Sequence, residues 1–311
     1  MKSDSRKVIF VALGANALIA ICKFAAAYIT GSSAMMSEGV HSVVDTGNQG
    51  LLLHGMKRSE RRPDAAHPFG YGAEVFFWAF VVAILIFAVG AGISIYEGVS
   101  KVLNPHPIVS PHINYIVLGV AFVFEAVAWT IAYKEFRKAQ GNTKRFHLFT
   151  AVRESKDPAT FTVLFEDTAA MLGLVAAAVG VAGAHVFGLH WADGVASIVI
   201  GCILAGTAIL LARETKGLLI GEAASPTVVR GIREIVRETP DIININELRT
   251  MHLAPHEILL ALSVDFADGI SSGGVEEVVS TIEKTIKERY PEVRRIFIEA
   301  QSKHDGMARR R

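Results

Sequence analysis

Six apolar stretches, each long enough to cross a lipid bilayer, constrain this chain before anything else does. They run roughly Val8–Ile29, Ala34–Met56, Val75–Val99, Ile113–Tyr133, Ala159–Val186 and Trp191–Ala212. About 20 residues at ~1.5 Å rise cross the ~30 Å hydrocarbon core, so each is read as a transmembrane helix. The chain is 51% hydrophobic, and because the apolar residues fall in blocks they read as membrane spans rather than as one enlarged soluble core. Glycines inside the blocks, among them Gly90, Gly173, Gly180 and Gly201, favour close helix–helix approach in lipid.

The connections between blocks set the orientation. Lys2, Arg6 and Lys7 precede the first block; Lys57, Arg58, Arg61 and Arg62 follow the second. Lys134, Arg137, Lys138, Lys144, Arg145, Arg153 and Lys156 follow the fourth, and Arg213 and Lys216 the sixth. The alternate connections carry no Lys or Arg except Lys101. Positive charge stays inside, so both termini are expected on the cytoplasmic side. The segment Met1 to Lys7 is too short for a transit peptide, and the first block is too long for a signal peptide. A bacterial inner membrane is the expected location. Cys22 and Cys202 both lie in apolar blocks and are expected to be buried, inert thiols. A net charge of +1 offers nothing to a nucleic acid, and none is expected as a partner.

From about Glu222 the pattern changes. Ser225-Pro226 opens a helical pattern through Arg237, with serine as cap and proline in the first turn. Strands are expected over Ile242–Leu253, Glu257–Phe266 and Val293–Ala300, with a helix over Gly274–Arg289. The expected division is a six-helix transmembrane domain over residues 1–220 and a cytoplasmic α+β domain over 221–311 that suits dimerisation.

The second block carries the chemistry. His41 and Asp45 are four residues apart, so on a helix they project from one face. An ionisable side chain inside a bilayer costs about 2.5–3.5 kcal/mol, which makes two on one face a functional signal. Imidazole beside carboxylate on a rigid helix is a partial coordination shell for a divalent transition metal. The fifth block carries Glu166-Asp167 at a comparable depth; at least one of the two must point into the bundle, and Asp167, with Glu166, completes the site. Asn16 and Asn48 are expected to make helix–helix hydrogen bonds, with Asn48 near enough to support the ligands. Glu125 is expected to pair with Lys23 or another buried partner. Asp64 and His67 lie in a Pro- and Gly-rich loop that reads as an ordered turn rather than a metal site. His252, His256, His185 and His190 are expected at surfaces or interfaces.

Together these residues resemble the cation diffusion facilitator family of divalent-metal/proton antiporters. The resemblance rests on Gly31-Ser32-Ser33-Ala34 leading to His41-Ser42-Val43-Val44-Asp45, on His67-Pro68-Phe69-Gly70-Tyr71-Gly72-Ala73-Glu74, and on Ala192-Asp193-Gly194 in the sixth block. Glu166-Asp167-Thr168-Ala169-Ala170 is most similar to the branch that includes the human zinc transporter nine. The resemblance implies a ferredoxin-like C-terminal domain, a homodimer and no enzymatic activity. It also implies a transport site where the second and fifth helices face each other, with no resident cofactor. His41, Asp45, Asp167 and Glu166 are the metal ligands it points to. The family's usual fifth-helix motif has His or Asp four residues before its aspartate; here Val163 precedes Asp167 and Thr162 precedes Glu166 at that distance. Tyr71 stands where zinc-binding members can have histidine.

The mechanism this implies is Zn²⁺/H⁺ antiport, in which metal and protons compete for the same imidazole and carboxylates. The single imidazole favours Zn²⁺, with Fe²⁺, Co²⁺ or Mn²⁺ as the alternative cargo. An intramembrane metallohydrolase or a membrane-anchored metal sensor would use the same ligands without flux. No His-Glu-x-x-His run supports the former.

Overall fold

The computed structural model describes residues 3–139 and 156–302 of the chain. Most of the basic connection between the fourth and fifth blocks, residues 140–155, lies outside the described residues. The chain divides into two units, one formed by Met1–Arg58 and Glu74–Lys216, the other by Ser59–Ala73 and Gly217–Arg311.

The first unit is helical. It contains α1 (Ser3–Thr30), α2 (Ser33–Ser59), α3 (Glu74–Leu85), a π-helical segment (Ile86–Ala91), α4 (Gly92–Leu103), α5 (Pro111–Ala139), α6 (Pro158–Val186) and most of α7 (Ala192–Ile220). α3, the π segment and α4 form one continuous apolar rod, Glu74–Leu103. Its wide turn lies at Gly90, which packs against Leu204 of α7. Among the described residues four helices are long and apolar enough to cross a membrane: Glu74–Leu103, Pro111–Glu135, Pro158–Val186 and Ala192–Ile220. The six expected spans are therefore met in four places by length and apolarity. In α2 the deficit is chemical, because Ser37, Glu38, His41, Ser42, Asp45 and Asn48 interrupt the apolar run.

The joint between α1 and α2 is tightly made. α1 stops at Gly31, whose φ of +68° is a left-handed conformation that suits glycine. The Ser33 backbone N–H, an otherwise unpaired donor at the start of α2, donates to Asp193 Oδ2 at 2.7 Å. Ser32 Oγ donates to Asp193 Oδ1 at 2.6 Å, and Ser33 Oγ to Oδ2 at 3.1 Å. Asp193, buried in the first turn of α7, thus caps a second helix. Lys101 is not a loop charge, as the sequence suggested: it is buried within α4 and its ammonium donates to the Gly31 carbonyl at 2.8 Å. A cation there satisfies an orphan carbonyl at the C-terminus of α1. Asp157 caps α6 by accepting from the Ala159 N–H, with Pro158 in the first turn. Cys22 and Cys202 are free and exposed, on outward helix faces rather than buried ones.

The second unit contains α8 (Pro226–Glu238), β1 (Ile242–Ala254), β2 (Glu257–Phe266), α9 (Ser272–Arg289) and β3 (Val293–Ala300). Ser225 caps α8 by accepting from the Val228 N–H. The sheet runs β1-β2-β3, antiparallel between β1 and β2 and parallel between β2 and β3, with α9 as the crossover. Ile258, Leu260, Leu262 and Val264 alternate along β2. They share one core with Ile232, Ile235 and Val236 of α8 and Ile282 and Ile286 of α9. The loop Ser59–Ala73 belongs to this unit although helices of the other unit flank it in sequence. Phe69 meets Phe297 of β3 edge to face at 6.4 Å. Gly72 approaches β1 so closely that a Cβ would sit 2.6 Å from the Leu253 carbonyl oxygen.

Candidate metal site

α2 turns His41 into the protein, where it is 1% exposed. One turn on, Asp45 lies partly buried, with its Oδ1 3.3 Å from His41 Nδ1. The pair expected from i, i+4 spacing is therefore formed. Glu166 is buried on α6 and its Oε1 accepts from Asn48 Nδ2 at 2.7 Å, joining α6 to α2. Asp167 is partly buried next to it. The carboxyls of Glu166, Glu125 and Asp167 all lie near enough to act electrostatically on Asp45.

The most telling observation is what these groups lack. Both ring nitrogens of His41, Asp45 Oδ1, Asn48 Oδ1 and Asp167 Oδ2 are buried without a hydrogen-bond partner. Buried polar atoms are normally satisfied, and leaving one unpaired costs about 1–3 kcal/mol. Nitrogen and oxygen donors left free on two helices are what a site for a divalent cation needs. Among the described residues, however, no three His, Cys, Asp or Glu side chains stand together as a group that could hold a metal ion. The sequence-expected residues stand as two pairs, His41 with Asp45 and Glu166 with Asp167.

A charged pair beside the site was not read from the sequence. Lys23 of α1 and Glu38 of α2 are each 0% exposed and lie 2.9 Å apart. Lys23 also donates to Ser42 Oγ at 2.8 Å. Of the partners expected for Glu125, Lys23 or another buried group, Lys23 makes its two hydrogen bonds elsewhere, to Glu38 and Ser42, both one turn or less from His41. The available signal was Glu38 itself, three residues before His41 on the same helical face and in need of a cation. Thr162, four residues before Glu166, is fully buried and its hydroxyl also lacks a partner.

The remaining candidates are structural. Asp64 accepts from the backbone N–H groups of Ala66 at 3.0 Å and His67 at 2.8 Å, and from the Tyr71 hydroxyl at 2.6 Å. The Tyr71 hydroxyl, with the His67 and Ala66 amides, holds the Asp64 carboxyl below the usual carboxylate range. Arg61 lies over the Tyr71 ring at 4.5 Å. This is an ordered turn, as its composition suggested. His252 is buried at 7% exposure rather than lying on the surface, with Nδ1 3.4 Å from the Ala254 carbonyl oxygen. His185 is exposed, and its ring lies 6.1 Å from that of Tyr115.

Residues 9–220 match the cation efflux transmembrane domain, and residues 224–301 match the cation efflux protein, cytoplasmic domain. The chain is 33% identical over 260 residues to the mitochondrial proton-coupled zinc antiporter SLC30A9 of Homo sapiens, covering 84% of this chain and 46% of that protein. It is 29% identical over 307 residues to metal tolerance protein C4 of Arabidopsis thaliana, covering 98% and 64% respectively. It is 24% identical over 298 residues to the manganese efflux system protein MneP of Bacillus subtilis, covering 94% and 95%. The chain thus spans about half the length of the human relative.

Proposed function

The chain belongs to the cation efflux family, the cation diffusion facilitators, on the side of its zinc transporter nine-like members, and from that premise we propose that it exports divalent metal by Zn²⁺/H⁺ antiport. The observation that supports this reading is that His41, Asp45 and Asp167, on α2 and α6, carry buried donor atoms without hydrogen-bond partners. Glu166, hydrogen-bonded across the same two helices, is the fourth residue of the site. Ligation needs neutral imidazole and ionised carboxylates, so protons and metal compete for these groups, and that competition couples their movements. Helices rocking about a fixed site would expose it to one side and then the other.

The reading extends to the rest of the chain. Residues 1–220 serve as a six-helix transport domain, with α1 and α2 contributing two of the spans. Residues 221–311 serve as a ferredoxin-like cytoplasmic domain that pairs two copies, in keeping with the cytoplasmic-domain match. Both termini face the cytoplasm, and the location is a bacterial inner membrane, a reading supported by the bacterial relative of nearly equal extent. The names of two relatives, a zinc antiporter and a manganese efflux protein, frame the choice of cargo. The imidazole of His41 favours zinc, with Mn²⁺, Fe²⁺ or Co²⁺ as the alternative. In keeping with its family, the chain acts as a carrier rather than an enzyme.

The test is uptake of Zn²⁺, Mn²⁺, Fe²⁺ and Co²⁺ into proteoliposomes with and without a pH gradient. Gradient-dependent flux that Asp45→Ala and Asp167→Ala each abolish is the expected result. Absence of flux for every metal would instead indicate a membrane-anchored sensor or an intramembrane hydrolase.

A further inference from the structure

We propose that the second unit holds a binding site for a phosphate ester, built from Arg61 of the loop before α3 and from Arg294 and Arg295 of β3. The proposal concerns that unit alone and does not depend on the transport-site reading.

The site is a cavity of about 440 Å³ between the loop Ser59–Ala73 and the sheet, a size within the ~300–1,000 Å³ of small-molecule pockets. On a regular strand neighbouring side chains point to opposite faces, so consecutive residues do not ordinarily share a cavity. Arg294 and Arg295 both line this one. The pairing of β3 with β2 accounts for it: Ile258 pairs with Val293 and Leu259 with Arg295, which leaves Arg294 as an extra residue. A bulge of this kind re-aims a side chain and recurs at sheet edges and beside functional sites. β3 is such an edge strand. Phe297, two residues after Arg295 and so on its face, meets Phe69 of the loop at 6.4 Å. That contact sets the loop over the face from which Arg295 projects.

The lining selects an anion. Arg61, Arg294 and Arg295 stand against one carboxylate on the cavity wall, Glu257. Glu257 Oε1 lies 3.7 Å from Arg295 Nε, a loose pair. Among the described residues Arg61 and Arg294 pair with no carboxylate; Arg61 lies over the Tyr71 ring at 4.5 Å. A guanidinium fork matches phosphate oxygens two at a time, and such charge-assisted bonds are about twice as strong as neutral ones. A phosphate monoester carries about −1.5 to −2 charge at neutral pH, which suits the excess of guanidinium. Phe69 and Pro63 add apolar wall, which points to an ester with an organic part rather than to bare phosphate. A soluble ester and an acidic lipid headgroup share this chemistry. Ser59 ends α2 and Ala73 precedes α3, so under the proposed topology the loop leaves and rejoins the cytoplasmic leaflet, where acidic lipids concentrate.

The test is isothermal titration calorimetry on the full-length chain in an uncharged detergent. Glycerol 3-phosphate is the soluble probe and dihexanoyl phosphatidic acid the lipid probe, with dihexanoyl phosphatidylcholine as the control for partition into micelles. Arg61→Gln, Arg294→Gln and Arg295→Gln should each weaken binding by about tenfold. Glu257→Gln removes the opposing carboxylate and should tighten it. Arg230→Gln removes the same charge from α8, outside the cavity, and should bind as the parent does. All four arginines are exposed, so each variant should keep the parent's melting temperature and a loss of affinity reports the site. Affinity for glycerol 3-phosphate, with or without affinity for phosphatidic acid, assigns a soluble ester; affinity for phosphatidic acid alone assigns a lipid headgroup. Either supports the site. Binding of neither probe would overturn the proposal. So would equal weakening in Arg230→Gln, which would show diffuse attraction to a basic surface instead of a site.

Discussion

Removing Lys23 would leave Glu38 as a buried, unpaired carboxylate, and that asymmetry makes the pair informative at the scale of single residues. Both side chains are fully buried and 2.9 Å apart. Breaking such a pair from one side costs on the order of 3–5 kcal/mol, whereas replacing both with apolar side chains is often nearly neutral. Lys23→Met and Glu38→Leu should each lower the thermal unfolding temperature in detergent sharply. The double substitution should recover most of the loss; a double variant as unstable as the sum of the singles would contradict the pairing. The same residues show what the sequence could and could not convey. His41, Asp45, Glu166 and Asp167 stood out as candidates because an ionisable group in an apolar run needs a reason, and helical spacing gave His41 and Asp45 a shared face. That Lys23 answers Glu38 rather than Glu125 depends on how α1 packs against α2, a contact between residues 15 apart in sequence, and periodicity within one helix does not report it. The orphaned oxygen of Asn48 is likewise a property of packing: the sequence placed an amide near the site, but not which end of it would be free.

At the scale of elements, caps and turns were the most legible features because their chemistry is local. Ser225-Pro226 announced α8, and the structure places its cap accordingly. The cap of α2 is different, since its acceptor is Asp193 on α7, 160 residues away from Ser33 in sequence. Asp193→Ala strips the acceptor from the Ser33 N–H and from the hydroxyls of Ser32 and Ser33, at a cost of about 2–3 kcal/mol. Asp193→Asn keeps one acceptor oxygen and should lose less; equal melting temperatures for these two variants would argue against the cap. The loop Ser59–Ala73 offers a second test, through pH. Its Asp64 carboxyl is held below its ordinary value by the Tyr71 hydroxyl first, then by backbone N–H groups. A carboxyl lowered in the folded state contributes order above its unfolded value, near ~3.9, and the contribution disappears as pH falls through the folded value. Tryptic cleavage after Arg61 should therefore be slow and flat from about pH 8 to 5 when loop order is sampled before a common digestion. The site should become accessible only in samples held below ~4, and Asp64→Ala should be cut quickly throughout.

For the whole molecule, the sequence divided the chain at about residue 220, and that boundary was visible because hydropathy and strand periodicity change there. It did not show that Ser59–Ala73 joins the C-terminal unit, because the contact depends on Phe69 meeting Phe297 and on Gly72 admitting the backbone of β1. Nor did hydropathy recognise all six helices equally. α2 falls short of an ordinary apolar span because it holds the polar residues of the proposed site. The composition that weakens its membrane signal is therefore also the strongest functional signal in the chain. That trade leads to a prediction about cargo. In the proposed site His41 contributes the one nitrogen donor in a set otherwise made of oxygens, and imidazole suits zinc better than it suits manganese, which prefers carboxylate and water. Replacing it by His41→Asp gives an all-oxygen set of greater negative charge. In proteoliposomes carrying a pH gradient, the parent chain should take up Zn²⁺ in preference to Mn²⁺. In His41→Asp the ratio should move toward Mn²⁺ by about tenfold, equivalent to ~1.4 kcal/mol of differential binding. Competition of unlabelled Mn²⁺ against labelled Zn²⁺ measures that ratio directly, and dependence on the gradient should persist because carboxylates also exchange metal for protons. An unchanged ratio in a variant that still transports would mean that His41 does not touch the ion, and that selectivity is set by Asp45, Asp167 and their neighbours on α6.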